Sequence, residues 1–173
     1  MAIVVLLRGV NVGGHRTFRP TQLVHQLREF DVVNIGAAGT FVAHRATSRR
    51  KLREALLRTL PLTTDIVFCD GSTIRRLSTD NPFGPKPPAP DVTRFVSFLA
   101  APRGAMPTMP IALPTSREWF VRVVGTRDGL VFGEYRRHMK TIGYLGQLDK
   151  LFGGRLTTRN WGTIGRILDV LNA

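Results

Sequence analysis

Hydrophobic positions at the start of the chain follow a strand-like spacing and then a helix-like one. Ile3 to Leu7 form an unbroken apolar run of the length typical of a buried strand. Leu23, Leu27 and Phe30 then recur on one helical face. Pro20 stands just before them, at a position where a helix tolerates proline. The pattern predicts a strand followed by a short helix.

The next segments predict a hairpin, a second helix and a fourth strand. Apolar runs at 32–35 and 40–43 flank a turn of small residues. Ser48 precedes an apolar stripe of helical spacing that stops before Pro61, as expected for an N-capped helix. Residues 65–69 have strand composition. The order of strand, helix, strand, strand, helix, strand is typical of a ferredoxin-like half, an antiparallel sheet covered by two helices.

A proline-rich segment divides the chain. Residues 81–90 include five prolines, a density that forbids a helix interior or a central strand. We therefore predict an N-terminal ferredoxin-like half over residues 1–80, a proline-rich linker over 81–91, and a C-terminal α+β half over 92–173.

The C-terminal half combines strands with helices. Strand composition is found at 92–99, 118–124 and 130–132. A second proline-rich stretch, 102–114, predicts a loop. Helical spacing resumes at 145–152 and again after Trp161, where we expect Thr158 to cap a closing helix.

Composition narrows the class of protein. The chain has 173 residues, and its hydrophobic content of 43% is enough for a core, which argues against global disorder. No apolar run approaches the roughly 20 residues that span a bilayer, and the N-terminus lacks the pattern of a signal peptide. The single cysteine, Cys69, cannot form an internal disulfide. We therefore expect a cytoplasmic protein without a membrane segment.

The net charge of +13 has two interpretations. A basic surface attracts nucleic acid and other polyanions. However, the chain has 21 arginines against 4 lysines, mostly dispersed, and a GC-rich genome favours arginine codons. Composition alone leaves both interpretations open.

A glycine-rich loop directly after the first strand is the first candidate site. Its glycine spacing is that of a phosphate-binding P-loop, but His15-Arg16 stands where the P-loop requires Lys-Ser/Thr, which excludes a nucleoside triphosphatase. An arginine at the end of a strand is placed to bind an anion through two hydrogen bonds. Tight turns and a structural ion pair are the alternatives. The candidate ligand-binding residues here are Arg8, Asn11, Gly13, Gly14 and His15.

A second candidate site lies at residues 157–161. If a helix begins here, its free backbone N–H groups, two hydroxyls and Arg159 together form an anion site. The candidate ligand-binding residues are Thr158, Arg159 and Asn160. The alternative is an ordinary helix cap with Trp161 as a core residue.

The sequence contains no residue pattern that is typical of a metal site or of a catalytic triad. The four histidines, at positions 15, 25, 44 and 138, lack the spacing of metal ligands, so we expect neither a metal nor a cofactor. The residues define no catalytic triad and no pair of acids, so they leave open whether the protein is an enzyme.

Three motifs resemble one family. Residues 6–14 are similar to its opening signature "LLRGINVGG", 157–161 with Thr163 to its closing signature "TTRNWNT", and 81–83 to its "NPF". This is the bacterial family catalogued as domain of unknown function 1697. The resemblance implies an α+β fold of two ferredoxin-like halves, mainly antiparallel sheets covered by helices, and no established activity. The chain departs from the family at Ala38-Gly39-Thr40, where the family has "SGN", and at Gly162 in the closing motif.

The leading hypothesis is a cytoplasmic protein that binds a small anionic or nucleotide-like ligand between the two halves. One alternative is an RNA- or DNA-binding module that uses the basic surface. Another is a structural or partner-binding protein without catalysis. The sequence does not determine the oligomeric state.

Overall fold

A computed structural model describes residues 1–10, 18–46, 48–61, 63–101, 104–115 and 118–173. The chain divides into two compact units, Met1–Ser78 together with Gly165–Ala173, and Thr79–Ile164. The described residues form two antiparallel sheets, of four and five strands, and five α-helices. The predicted α+β class, with mainly antiparallel sheets, is therefore confirmed.

The first unit contains one four-stranded sheet and its helices. The elements are β1 (Ile3–Leu7), α1 (Pro20–Gln26), a 3-10 helix (Arg28–Phe30), β2 (Val32–Asn34), β3 (Thr40–Ala43), α2 (Arg49–Thr59), β4 (Ile66–Asp70) and α3 (Gly71–Thr79). The strands lie in the order β2-β3-β1-β4, with every neighbouring pair antiparallel. This strand order is the ferredoxin-like arrangement that the hydrophobic pattern predicts for the first half.

Alternate residues of β1 explain why the two helices pack on this sheet. Ile3, Val5 and Leu7 belong to one buried cluster with Leu23 of α1 and Leu52 of α2. Side chains alternate between the faces of a strand, so these three project to the same side. The apolar stripes of α1 and α2 cover that side.

Local signals fix the ends of two elements in the first unit. The Ser48 hydroxyl accepts a hydrogen bond from the backbone N–H of Lys51 at 3.4 Å, so it caps α2 as predicted. In the β2–β3 turn Gly39 has φ +72°, and a Cβ there would lie 2.5 Å from Cγ2 of Val10. A side chain at this position is excluded by both backbone conformation and space.

Cys69 is a free, buried thiol on β4. Burial raises the pKa of the Cys69 thiol to about 12. The thiol therefore stays protonated at neutral pH and is an inert core residue.

The second unit contains a five-stranded sheet. Its elements are β5 (Val92–Leu99), β6 (Ile111–Leu113), β7 (Val121–Arg127), β8 (Leu130–Arg136), α4 (Thr141–Leu151), β9 (Leu156–Asn160) and the start of α5 (Trp161–Asn172), whose residues from Gly165 onward belong to the first unit. The strands lie in the order β6-β7-β8-β5-β9, all antiparallel. Phe95, Val123, Leu148 and Phe152 share a buried cluster, so α4 covers one face of this sheet.

The second unit differs from the prediction in two places. The proline-rich stretch 102–114 contains the edge strand β6, which fits between Pro110 and Pro114 without including either. Strand β7 extends to Arg127, so its turn to β8 is confined to Asp128 and Gly129, both at positive φ.

Candidate functional site

The first predicted site is only partly within the described residues. Arg8 directly follows β1; its backbone N–H donates to the Asp65 carbonyl at 3.1 Å, and its carbonyl accepts from the Thr64 hydroxyl at 2.5 Å. The backbone of Arg8 is thereby fixed beside the start of β4. The other four predicted residues, Asn11, Gly13, Gly14 and His15, lie outside the described residues, and their role stays a prediction.

The second predicted site has a different local structure from the one expected. Residues 156–160 form β9, so the prediction that a helix begins here with Thr158 as its cap is wrong. Thr158 pairs with Ser97 across β5 and β9, and their hydroxyl oxygens lie 2.6 Å apart. The physical reason is that β-branched threonines favour a strand, and β5 offers an edge to pair with.

Asn160 is the residue that caps α5. Its Oδ1 accepts from the backbone N–H of Thr163 at 2.8 Å and from the Thr163 hydroxyl at 3.0 Å. A side-chain oxygen bonded to the N–H three residues on is the usual N-cap arrangement. The polar atom that the sequence assigns to a ligand therefore has a structural partner.

Replacing Asn160 with alanine should lower the free energy of unfolding by about 1 kcal/mol, because two donors at the start of α5 lose their acceptor. Thermal or urea unfolding measures the loss. The matched variant Asn160→Asp keeps a capping oxygen and should be close to wild type. An equal loss in both variants would contradict the capping role.

Arg159 projects away from Thr158 and Asn160, because side chains alternate along a strand. Its side chain is buried, with the residue 8% exposed, and Nη1 donates to the Thr158 carbonyl at 2.9 Å. Burial lowers the pKa of Arg159 to about 10, so the guanidinium remains charged at neutral pH. The three predicted residues of β9 thus do not share one face of their sheet.

A cleft of about 570 Å³ in the second unit is lined by charged side chains that are not among the predicted site residues. It lies between the proline-rich residues 82–91 and the sheet face opposite α4. We call it the basic cleft and define it by its charged residues, which are Lys86, Asp91, Arg94, Arg122, Glu134 and Arg136.

A row of three charged residues crosses the floor of the basic cleft. The register places Glu134 of β8 opposite Arg94 of β5 on one side and opposite Arg122 of β7 on the other. Glu134 Oε1 accepts from Arg94 Nε at 3.2 Å, and Oε2 accepts from Nε and Nη2 of Arg122 at 2.8 and 2.5 Å. The side chains of Glu134 and Arg94 are only 8% and 11% exposed. The pair of Glu134 and Arg94 is therefore buried, whereas Arg122 is partly exposed at the side of the row.

Trp119 brings two of the arginines together. The guanidinium carbons of Arg122 and Arg136 lie 4.4 and 4.6 Å from the centre of its ring, which is the geometry of a cation–π contact. Arg136 also donates to Asp91 at 3.2 Å. Two like charges are thus held on the same aromatic ring.

The proline-rich wall of the cleft is anchored to the sheet. Asn81 closes a turn at its start, with Nδ2 donating to the Gly84 carbonyl at 2.9 Å. Phe83 lies beneath the Arg94 guanidinium at 5.0 Å and packs edge-on against Trp161 at 5.1 Å. Arg94 Nη2 donates to the Lys86 carbonyl. Arg94 therefore joins the wall to the charged row.

The electrostatics of the basic cleft favour an anion. Four of its charged residues are cations and two are acids. Within the part of the chain that the structure describes, Arg136 Nε is a buried donor without a hydrogen-bond partner. The side chains of Arg122 and Arg136 are 45% and 41% exposed. No three His, Cys, Asp or Glu side chains among the described residues are grouped to hold a metal ion. The arrangement suits binding of an anion through guanidinium donors.

The sequence contains only a weak signal for this cleft. Arg94, Arg122 and Glu134 lie in strands of mixed composition, and Arg122 follows the ordinary alternation of buried and exposed positions along β7. Their meeting depends on the register of three strands that are distant in the chain. Periodicity within one strand cannot supply that register.

The fold and the cleft define an α+β protein built on two antiparallel sheets, one of them carrying an arginine-rich cleft. The family described as "Protein of unknown function (DUF1697)" has a model that matches residues 1–118, and the chain belongs to that family. The solved structure of the conserved bacterial protein SP0830 from Streptococcus pneumoniae is similar, with a TM-score of 0.64 and 15% identity over 98% of each chain. At that identity the likeness shows the fold alone. No curated protein matches the chain.

The longest helix among the described residues is α5, with 12 residues. None of the described helices has the length and apolar character that crossing a membrane requires.

Proposed function

We propose that this protein binds a small anionic ligand in the basic cleft. The observation that carries the proposal is the pair of partly exposed guanidinium groups, those of Arg122 and Arg136, on the same tryptophan ring. Charge-assisted bonds to two arginines add affinity and orientation.

The Arg136→Ala variant should bind small anions about tenfold more weakly than wild type, because it removes one charge-assisted donor pair. Isothermal titration with inorganic phosphate, citrate and adenosine 5′-monophosphate measures the change. Arg53→Ala is the matched control, since Arg53 is an exposed arginine on α2 of the first unit. Equal affinities in the two variants, or no binding to any of these anions, would overturn the proposal.

The arginines of the two sites predicted from the sequence can be tested by the same titrations, each in its own variant. The variants Arg8→Ala and Arg159→Ala test whether the opening and closing motifs contribute to binding of the anion. Loss of affinity in either variant, with unfolding unchanged, would assign that motif to binding.

A structural role for the closing motif has its own support. The Asn160 side chain caps α5, and the Thr158 hydroxyl is bonded to Ser97. Side chains satisfied inside the protein contribute to stability rather than to recognition. If Arg8→Ala and Arg159→Ala change stability without changing anion affinity, the motifs are structural.

Nucleic acid binding through the whole basic surface makes a different prediction. It is insensitive to which exposed arginine is removed and weakens steeply with salt. Binding of unrelated oligonucleotides that Arg136→Ala and Arg53→Ala weaken equally would favour that alternative over the cleft.

A further inference from the structure

We infer that the basic cleft recognises a doubly charged terminal phosphate, the head group of a phosphate monoester, in preference to a singly charged anion. This inference rests on the proposed function and names the class of ligand for the same site.

The charge of the cleft matches a dianion. Lys86, Arg94, Arg122 and Arg136 supply four positive charges, and Asp91 and Glu134 supply two negative ones. Glu134 is engaged by Arg94 and Arg122, and Asp91 by Arg136, which leaves two positive charges uncompensated. A phosphate monoester carries a charge close to −2 at neutral pH, whereas a diester or a single carboxylate carries −1. A dianion therefore neutralises the cleft and a monoanion leaves it cationic.

The position of the donors favours one compact dianion over two separate carboxylates. The guanidinium carbons of Arg122 and Arg136 lie 4.4 and 4.6 Å from the centre of the Trp119 ring, so both charges border the same part of the cleft. The side chains of Arg122 and Arg136 are both partly exposed, so each guanidinium group is accessible to a ligand there. A phosphate group presents three oxygens in different directions from one atom, so it can accept hydrogen bonds from more than one guanidinium group.

The remaining wall of the cleft accepts the organic part of the ester. Pro87, Pro88, Val92 and Val124 line it, and Val124 is 38% exposed despite its apolar side chain. Prolines are rigid and apolar, so this wall can contact a sugar or a hydrocarbon without competing for the phosphate. The inferred ligand thus has a phosphate head and a small organic body.

The test compares two ligands that share a base and a sugar and differ in phosphate charge. Adenosine 5′-monophosphate is a monoester, and its 3′,5′-cyclic form is a diester. Isothermal titration of the full chain at neutral pH should show the monoester binding about tenfold or more tightly than the diester, because one further charge lies beside two arginines. Succinate serves as a dianion whose charges are separated.

A charge variant tests the cause of the preference. Lys86→Met removes one positive charge from the exposed part of the cleft and should reduce the affinity for the monoester more than that for the diester. Arg53→Ala, which removes a charge outside the cleft, should leave the ratio of the two affinities unchanged.

The outcomes separate this inference from the proposed function. If monoester and diester bind equally well and Arg136→Ala weakens both, the cleft binds anions without the inferred selectivity, and only the inference is overturned. If succinate binds as tightly as the monoester, the inferred preference for a compact head group is wrong. If none of these ligands binds, nor inorganic phosphate, both the proposed function and the inference are overturned.

Discussion

Replacing Glu134 with alanine is expected to lower the free energy of unfolding by about 3–5 kcal/mol. Glu134 is the only acid in the row with Arg94 and Arg122 among the described residues, and its carboxylate accepts hydrogen bonds from both. The Arg94 side chain is 11% exposed, so the variant leaves a desolvated cation without its counter-ion. Removing one partner of a buried pair costs more than the pair itself contributes.

Urea unfolding measures the effect, since urea does not screen charges. Asp91→Ala is the matched control, because Asp91 also pairs with an arginine of the cleft but is exposed, with 57% of its side chain accessible. Exposed pairs contribute less than about 1 kcal/mol. Similar losses in the two variants would contradict the expected cost of leaving Arg94 buried without its counter-ion. Glu134→Gln, which keeps the shape and one acceptor, should fall between them.

Replacing Gly133 with alanine is the second large effect, with an expected loss of about 3 kcal/mol. Gly133 lies in β8, the central strand of the five-stranded sheet. A Cβ there would lie 2.3 Å from Cζ of Phe95 and 2.6 Å from the Arg122 carbonyl oxygen. Because the second neighbour is backbone, the strand itself must shift to admit a methyl group.

A double variant distinguishes the two clashes. Phe95→Leu in the Gly133→Ala background removes the ring but leaves the Arg122 carbonyl. The double variant should therefore lose less stability than the sum of the two single losses, and the coupling energy of the double-mutant cycle measures the difference. Gly125→Ala on β7 is the control, since nothing lies within 4 Å of a Cβ at that position. It should change the free energy of unfolding by less than about 0.5 kcal/mol. A Gly133→Ala variant as stable as this control would contradict the contact.

Elements set by local signals could be predicted from the sequence. The bounds of β1, β3 and β5 agree with their apolar runs, and α2 begins after the predicted cap, Ser48. Each of these elements is determined by the spacing of apolar residues and by a side chain within one turn of it. Local spacing was also sufficient to predict the order of strands and helices along the first half of the chain.

Features set by pairing between distant segments could not. The threonines at 157 and 158 are compatible with a helix start until β5 pairs with them, and the cap then moves to Asn160. The basic cleft has the same origin. Its arginines are dispersed along the sequence, so their positions in the chain do not indicate a site. Only the register of the sheet brings Arg94 and Arg122 to one carboxylate. Strand register is a tertiary property.

Helix α5 constrains when the first unit can complete its folding during synthesis. Its last residues, from Gly165, belong to the first unit, where the Leu171 carbonyl accepts from Arg75 and the Asn172 Oδ1 accepts from Arg75 Nε at 3.2 Å. The ribosome translates all of residues 79–164 before it reaches this segment. Domains generally fold as they emerge, the N-terminal one first. Here the nascent first unit must wait for the whole of the second to be translated before its own final segment can dock.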